Sequence, residues 1–334
     1  MKKIIIFILF ISLTGINLSA QGCGGAPSSE GIKVFGFLQS QYEMKFEDPT
    51  KNSFTFERAR IGVMGKIPYD FSYYVVLELS PFIADNPYLL DAFITYDRFK
   101  WAKVSLGSFK TPFGLEVNTA CNGLTTIYRS TVSLQTVAPF RDLGLVFMGG
   151  DESTFLTYQL GIMNGRGLGA FDNNTAKDIV GRVVFKPLDF WKIGGSFRRG
   201  FPSLNNTTDE RITYGFETSL KYKGLSFEGE YIHDQGNYNR DLGGGCSGNL
   251  IELGEERSGY YATLAYKTKW NVEPLFRYDN FDSGLNDYVE NNMTFGVNYF
   301  FNDWTRLQVN YIYRDEEPTE LKNDEFVVQV QVKF

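Results

Sequence analysis

The sequence predicts an all-β fold: a transmembrane, antiparallel, up-and-down β-barrel of about sixteen strands. Three observations predict it. Side-chain character alternates with a period of two, short and long connections alternate along the chain, and the composition is rich in aromatic residues and glycine. The 334 residues include 30 Phe, 20 Tyr and 34 Gly, which are the residues of strands, interfacial aromatic girdles and tight turns.

The N-terminus predicts an exported protein. Lys2 and Lys3 precede an apolar run at residues 4–13, and Leu18-Ser19-Ala20 forms a small-residue cleavage site. We therefore expect a signal peptide at residues 1–20, cleaved near Ala20, and one barrel domain at residues 21–334. Beyond Ala20, no stretch approaches the about 18 consecutive apolar residues that a membrane-spanning helix requires.

The two-residue alternation is clearest at the C-terminus. There Phe326, Val328, Val330, Val332 and Phe334 alternate with Val327, Gln329, Gln331 and Lys333. One face of such a strand suits hydrocarbon and the other suits water. Replacing Val330 or Phe295 with Arg is therefore expected to cost about 2–4 kcal/mol near the membrane midplane, whereas Gln329→Arg is expected to be nearly silent.

Connection lengths separate a membrane barrel from a soluble β-sandwich, which also alternates. Short links lie at residues 68–70, 97–100, 150–152, 187–189, 223–224, 269–270 and 302–303, and longer polar ones near 47–52, 81–88, 110–140, 164–177, 200–210, 236–256, 282–287 and 316–322. Short turns on one side and long loops on the other are typical of outer-membrane barrels. The longest link, 110–140, carries apolar residues such as Phe113 and Leu124, so we expect it to fold into the lumen.

Charge indicates what such a channel would pass. The formal net charge is −6, or about −8 without Lys2 and Lys3, which argues against nucleic-acid binding. Yet the positions predicted to face the lumen carry more Lys and Arg than Asp and Glu, and cations in a narrow pore favour anions. The predicted constriction and anion path consists of Arg58, Arg60, Lys110, Arg129, Arg141 and Arg198.

An alternative for these cations is that they pair with carboxylates and only solvate the wall, with Glu43 and Asp142 as partners. A single histidine, His233, excludes a multi-histidine metal site, and nothing indicates an enzyme or a cofactor. We interpret His233 as a surface residue and the glycines at 165–169 as a flexible loop tip. Cys121 and Cys246 both fall in long connections, where a disulfide is chemically permitted.

Several motifs resemble those of the phosphate-selective porins O and P and their Bacteroidetes relatives. They are residues 56–60 (Phe-Glu-Arg-Ala-Arg), 106–116 (Leu-Gly-Ser-Phe-Lys-Thr-Pro-Phe-Gly-Leu-Glu), 138–144 (Ala-Pro-Phe-Arg-Asp-Leu-Gly), 161–165 (Gly-Ile-Met-Asn-Gly) and 181–187 (Gly-Arg-Val-Val-Phe-Lys-Pro). The second block, followed by the third, is the most specific. The resemblance covers most of the first half of the chain and continues more weakly, as strand pattern, to the end.

The resemblance implies a sixteen-stranded, trimeric porin in the outer membrane of a Gram-negative bacterium, with its third outer loop narrowing the lumen. The terminal Phe334 would then be a recognition signal for the barrel assembly machinery. We expect passive diffusion of small hydrophilic solutes with a modest anion preference. Phosphate selectivity stays open, because the dense lysine cluster of the relatives has no counterpart in the loops of this sequence. The alternative is a closed structural or adhesion barrel whose outer loops bind a partner.

Overall fold

A computed structural model describes residues 31–83, 86–202, 209–238 and 251–334 of the protein, and its strands form a closed antiparallel barrel in chain order. The predicted fold class and the number of strands are confirmed. The strands are β1 (Lys33–Lys45), β2 (Lys51–Ile67), β3 (Phe71–Glu78), β4 (Tyr88–Phe99), β5 (Ala102–Lys110), β6 (Arg141–Gly149), β7 (Leu156–Met163), β8 (Asp178–Leu188), β9 (Trp191–Gly200), β10 (Arg211–Tyr222), β11 (Leu225–Gly236), β12 (Glu256–Tyr266), β13 (Val272–Asp282), β14 (Val289–Phe300), β15 (Thr305–Glu317) and β16 (Glu325–Lys333). The predicted signal peptide lies outside the described residues.

Closure of the barrel joins β1 to β16. The Gly36 amide donates to the Phe334 carbonyl at 2.9 Å, and the Phe334 amide donates back to Gly36 at 3.0 Å. A Cβ at position 36 would lie 2.5 Å from the Arg60 carbonyl oxygen and 2.6 Å from the Phe334 ring. The seam therefore requires glycine at this position, and it gives the terminal Phe334 a structural role.

The outer and inner faces follow the predicted alternation. On β16, Val330 and Val332 are exposed on the outside, whereas Gln329 and Gln331 are buried on the inside. The expectation that Gln329→Arg would be silent is wrong. Gln329 is 0% exposed and its amide donates to Gln41 at 2.9 Å, so a larger charged side chain has no space there.

The short connections all lie at one end of the barrel, the short-turn end, and the longer ones lie at the other, the long-loop end. All four tryptophans, Trp101, Trp191, Trp270 and Trp304, lie in or beside short turns and are exposed. Tryptophan prefers the boundary between hydrocarbon and water, so these residues mark one membrane interface. None of the described helices is long and apolar enough to cross a membrane.

Candidate functional site: the barrel interior

The connection between β5 and β6, residues 111–140, is called L3 here. It contains helix α1 (Leu115–Asn118), a 3-10 turn (Cys121–Gly123) and helix α2 (Thr131–Thr136). Lumen-facing side chains of β1, β2, β9, β10, β11, β13, β14, β15 and β16 form hydrogen bonds with it. Since β1 and β9 lie half a barrel apart, L3 crosses the interior. Its short helices, which the sequence did not predict, lie inside an otherwise all-β fold.

The first part of L3 is docked on the far wall by one carboxylate. Glu230 of β11 accepts hydrogen bonds from the amides of Leu115 and Glu116 at 3.1 and 3.2 Å. Gly114 has a φ of 72°, and a Cβ there would lie 2.1 Å from the Glu230 carboxylate. Its amide donates to Ser196 at 2.9 Å. The Gly-Leu-Glu end of the sequence motif is therefore the docking element of L3.

A buried arginine holds the middle of L3. Arg277 of β13 forms an ion pair with Glu116 at 2.9 Å, and its guanidinium also donates to the Thr126 hydroxyl at 2.8 Å and to the Tyr128 carbonyl at 3.0 Å. Both charged side chains are at most 6% exposed. Arg277 faces the lumen, and its role in joining two parts of L3 is not visible in the sequence.

The end of L3 is held by a second arginine group. Arg198 donates to the carbonyls of Val137 and Ala138, and Arg211 donates to that of Ala138 at 2.7 Å. Arg211 also shares the carboxylate of Asp234 with another arginine, Arg257. The sequence prediction placed Arg198 on the anion path. In the structure it lies against the last residues of L3. The sequence did not reveal the roles of Arg211, Arg257 and Asp234, because the pairing of residues at strand ends depends on strand register.

Four of the predicted site residues converge on Cys121. Arg60 and Arg129 donate to its sulfur at 3.1 and 3.5 Å. Burial raises the pKa of the Cys121 thiol, but the positive charges of Arg60, Arg129, Arg58 and Lys110 outweigh burial and hold the pKa well below its usual value. The direction of this shift is that of a positive electrostatic potential around the thiol.

Carboxylates moderate this potential. Arg58 pairs with Glu57 at 2.9 Å and Arg60 pairs with Glu78 at 2.6 Å, with all four side chains at most 4% exposed. The ammonium of Lys110 donates to two carbonyls inside L3. The pairing alternative thus holds for both arginines, but the expected partner Glu43 is wrong.

Arg141 also has a different partner from the one expected. It forms a two-pronged ion pair with Asp91 of β4, at 2.8 and 3.2 Å. Its neighbour Asp142 accepts hydrogen bonds from the amides of Gly165 and Gly167. Consecutive residues of a strand point to opposite faces, so adjacency in sequence does not make Arg141 and Asp142 an ion pair. The glycine segment is correspondingly anchored to β6 and is not the free loop tip that we expected.

Between L3 and the inner wall of β1–β7 lies an open cavity of about 380 Å³, called the L3 chamber here. Arg60, Lys110, Arg141 and Cys121 line it together with apolar side chains. Of the six predicted anion-path residues, three therefore face a common space. Arg58 and Arg129 lie beside that space at Cys121, and Arg198 does not line it.

A second cavity of about 440 Å³ opens at the short-turn end, beneath Asn122–Thr125 of L3. Lys221, Lys223, Lys267, Lys333 and Arg306 line it, against Glu273 and Asp303. The long loops of the sequence carry no lysine cluster, whereas these lysines come from strand ends and turns that are distant in sequence. Closure of the barrel brings them together.

The remaining predictions concern a metal site, His233 and the two cysteines. Within the described residues, no three His, Cys, Asp or Glu side chains come together as a metal site. His233 is not exposed as expected but is 9% exposed and stacked on Tyr214 at 4.8 Å. Cys121 is a free, buried thiol. Its proposed partner Cys246 lies outside the described residues.

Comparisons with known proteins agree with this architecture. Residues 33–190 match the model of the family described as phosphate-selective porin O and P, and no curated protein matches the chain. OmpF of Salmonella typhi, solved in complex with daunomycin, has a TM-score of 0.69 at 11% identity, covering 91% of this chain and 98% of that one. The trimer form of OmpT of Vibrio cholerae has a TM-score of 0.63 at 12% identity, covering 91% and 99%. The outer membrane channel DcaP of Acinetobacter baumannii has 0.63 at 11%, covering 91% and 97%. These likenesses show a shared fold.

Proposed function

We propose that this outer-membrane porin is a water-filled channel with a modest anion preference, from the match of residues 33–190 to the model of the phosphate-selective porin O and P family and from the porin fold. Small hydrophilic solutes diffuse through it passively. The family and the fold are typical of channels and not of enzymes. Phosphate is one anion to test, and the observations above do not single it out.

The cluster of cations around Cys121 is the observation that carries the anion preference, with Arg60 and Arg129 donating hydrogen bonds to its sulfur. Arg58 and Arg60 act on this thiol from β2, Lys110 acts from the end of β5, and Arg129 acts from L3. Arg58 and Arg60 form ion pairs with carboxylates, which weakens their field, so a modest preference is expected. The lysines of the second cavity add positive charge at the short-turn end, where they attract anions into the mouth of the channel.

L3 is proposed as the constriction. It forms hydrogen bonds with strands between β9 and β16 and with β1 and β2, and the L3 chamber leaves space on the side of β3–β7. A solute would therefore pass between L3 and that wall, close to Arg60, Lys110 and Arg141. Rings of Arg and Lys in a narrow, low-dielectric pore favour anions over cations.

Export and assembly complete the proposal. The signal peptide would be removed near Ala20, and the barrel would be inserted into outer-membrane lipid by the assembly machinery, with Phe334 as its signal. We further propose a homotrimer, because the similar OmpT of Vibrio cholerae has a trimer form. Crosslinking of the protein in native membranes would detect three copies if this holds, and a single copy would contradict it.

The number of strands to which L3 is bonded favours a second candidate function. A loop bonded to strands on both sides of the barrel could close it, leaving a structural or adhesion barrel whose outer loops bind a partner. The two candidates differ in conductance. A closed barrel passes no steady current in a lipid bilayer, whereas a channel of this size passes ions.

The deciding experiment measures the reversal potential of the bilayer-reconstituted protein across a KCl gradient. We expect an anion-selective current that weakens in Lys110→Gln. The matched control is Lys51→Gln, because Lys51 is exposed at the start of β2 and pairs with Glu47. The ion selectivity of this variant should equal that of the wild type. A cation-selective wild type would contradict the anion preference. No conductance would favour the closed barrel.

A further inference from the structure

An unbroken row of aromatic side chains crosses the lumen-facing wall of the L3 chamber. Its members, with successive ring centroids 5.1, 5.1 and 5.8 Å apart, are Phe35 of β1, Tyr74 of β3, Phe93 of β4 and Phe109 of β5. Gly62 of β2 makes room for the row, because a Cβ there would lie 2.5 Å from the Phe35 ring. Lumen-facing positions of a water-filled barrel are normally polar. The row is therefore an exception that the demands of the barrel wall do not explain.

The aromatic row faces open space. The L3 chamber has a volume of about 380 Å³, within the range of about 300–1,000 Å³ that is typical of ligand pockets. Val146 and Met148 extend its apolar lining. Tyr74 and Phe93 are half-buried and their rings are nearly parallel, with an interplanar angle of 20°. Both side chains line the chamber, so their exposed ring surface is available to a molecule inside it.

The charged side chains of the chamber are already engaged with other groups of the protein. Arg60 and Arg141 form ion pairs with carboxylates at 2.6 and 2.8 Å. Lys110 donates to two carbonyls of L3, and the Cys121 sulfur accepts hydrogen bonds from Arg60 and from a second arginine. The field of these groups acts on passing ions at a distance. A bound ion, however, would have to displace one of these contacts to gain a direct partner.

Two uncharged polar groups of the chamber form no hydrogen bond with any described residue. They are the hydroxyl of Tyr74 and the buried side-chain carbonyl oxygen of Gln159. An apolar wall with a few polar groups is the usual composition of a specific binding site. The polar groups that this wall offers to a ligand are neutral, so the chamber suits a flat, uncharged molecule.

We propose that the L3 chamber binds small uncharged aromatic molecules that carry one neutral polar group, such as an amide or a hydroxyl. The ring packs against Tyr74 and Phe93, and the polar group forms a hydrogen bond with the Tyr74 hydroxyl or the Gln159 amide. A flat ring gains contacts from the aromatic row that an inorganic ion does not. The inference rests on the proposed function in that the chamber lies on the solute path, but binding is measurable without transport.

Titration calorimetry on the purified full-length barrel tests the site with benzamide as the probe. Acetamide has the same polar group without a ring, and benzoate has the same ring with a negative charge. We expect benzamide to bind about tenfold more tightly than acetamide, because its ring is buried against the aromatic row. It should bind at least about threefold more tightly than benzoate, whose charge would lack a free partner. These comparisons use the wild-type protein and do not depend on the folding of a variant.

Two variants locate the bound ring. Phe93→Leu and Tyr74→Leu should each weaken benzamide binding about three- to tenfold. Phe295→Leu is the matched control, because Phe295 is exposed on the outer face of β14, and it should bind like the wild type. Blockage of the KCl current by benzamide is the second readout, and it should weaken in the same two variants.

Four results would overturn the proposal: equal affinities for benzamide and acetamide, benzoate binding as tight as that of benzamide, unchanged benzamide affinity in both aromatic variants, or an equal loss in Phe295→Leu. A conducting protein that does not distinguish benzamide from acetamide refutes the site and leaves the porin function standing. Benzamide binding to a protein that does not conduct, with the expected dependence on the ring, refutes the channel function and supports the site.

Discussion

The two sides of the barrel interior differ in how they meet L3. On the side of β9–β16, inward-facing Arg, Glu, Asn and Gln side chains form hydrogen bonds with the backbone of L3. On the side of β3–β7, the inward-facing side chains include Tyr74, Phe93, Val146 and Met148, and a chamber remains. A loop inside a barrel must satisfy its peptide groups, so it docks where the wall offers polar partners.

The same difference separates two kinds of arginine. Arg198 and Arg277 donate hydrogen bonds to the backbone of L3, whereas Arg141 forms an ion pair with Asp91 on the barrel wall. Arginine content alone thus does not define an anion path. The position of each guanidinium relative to the docked loop decides whether it supports the structure or faces the solute.

The largest expected effect tests the docked side. Arg277→Met leaves the buried Glu116 carboxylate without its ion pair and should lower the free energy of unfolding by about 3–5 kcal/mol. In the matched control Arg98→Met, the pair with Asp70 at 3.7 Å is exposed, so the loss should be below about 1 kcal/mol. Urea unfolding in lipid vesicles, followed by tryptophan fluorescence, measures both. Equal losses would contradict the claim that the L3 contacts carry stability.

A second pair of variants compares a packed position with one at the chamber. Met163 is 1% exposed in the apolar cluster around L3, whereas Met148 on the adjacent strand is half-buried and lines the chamber. Met163→Ala should cost about 2–5 kcal/mol because it leaves an enclosed cavity, and Met148→Ala should cost less than about 1 kcal/mol. The same unfolding measurement applies. A costly Met148→Ala would mean that the chamber is packed and not open.

The smallest effect concerns the docking turn. Gly114→Ala places a Cβ against the Glu230 carboxylate at a positive φ, and it should cost about 1–3 kcal/mol. Gly123→Ala, in the same loop, meets nothing closer than 3.8 Å and should change stability by less than about 0.5 kcal/mol. Loosening of L3 in Gly114→Ala should also raise single-channel conductance above that of Gly123→Ala. Unaltered conductance in Gly114→Ala would mean that the docking of L3 at Glu230 does not set the width of the constriction.

Sequence reasoning reached the architecture because strands carry local signals. The alternation of Val330 and Gln329, the short turns and the end of the fifth strand at Lys110 all follow from neighbouring residues, and the structure agrees with each. The sequence predicted which way these side chains point, but it did not predict how deeply they are buried. Gln329 faces inward as expected, yet it is fully buried against Gln41, because packing depends on residues far away in sequence.

The sequence by itself determined a sixteen-stranded antiparallel barrel with a long third loop, since a period of two and turn chemistry are properties of adjacent residues. Only the tertiary structure decided which partners the charges have. Arg141 pairs with Asp91 and not with Asp142, the amides after Gly114 bind Glu230, and four cations gather at Cys121. These contacts depend on closure and register, in which a shift of one residue would turn every side chain to the opposite face.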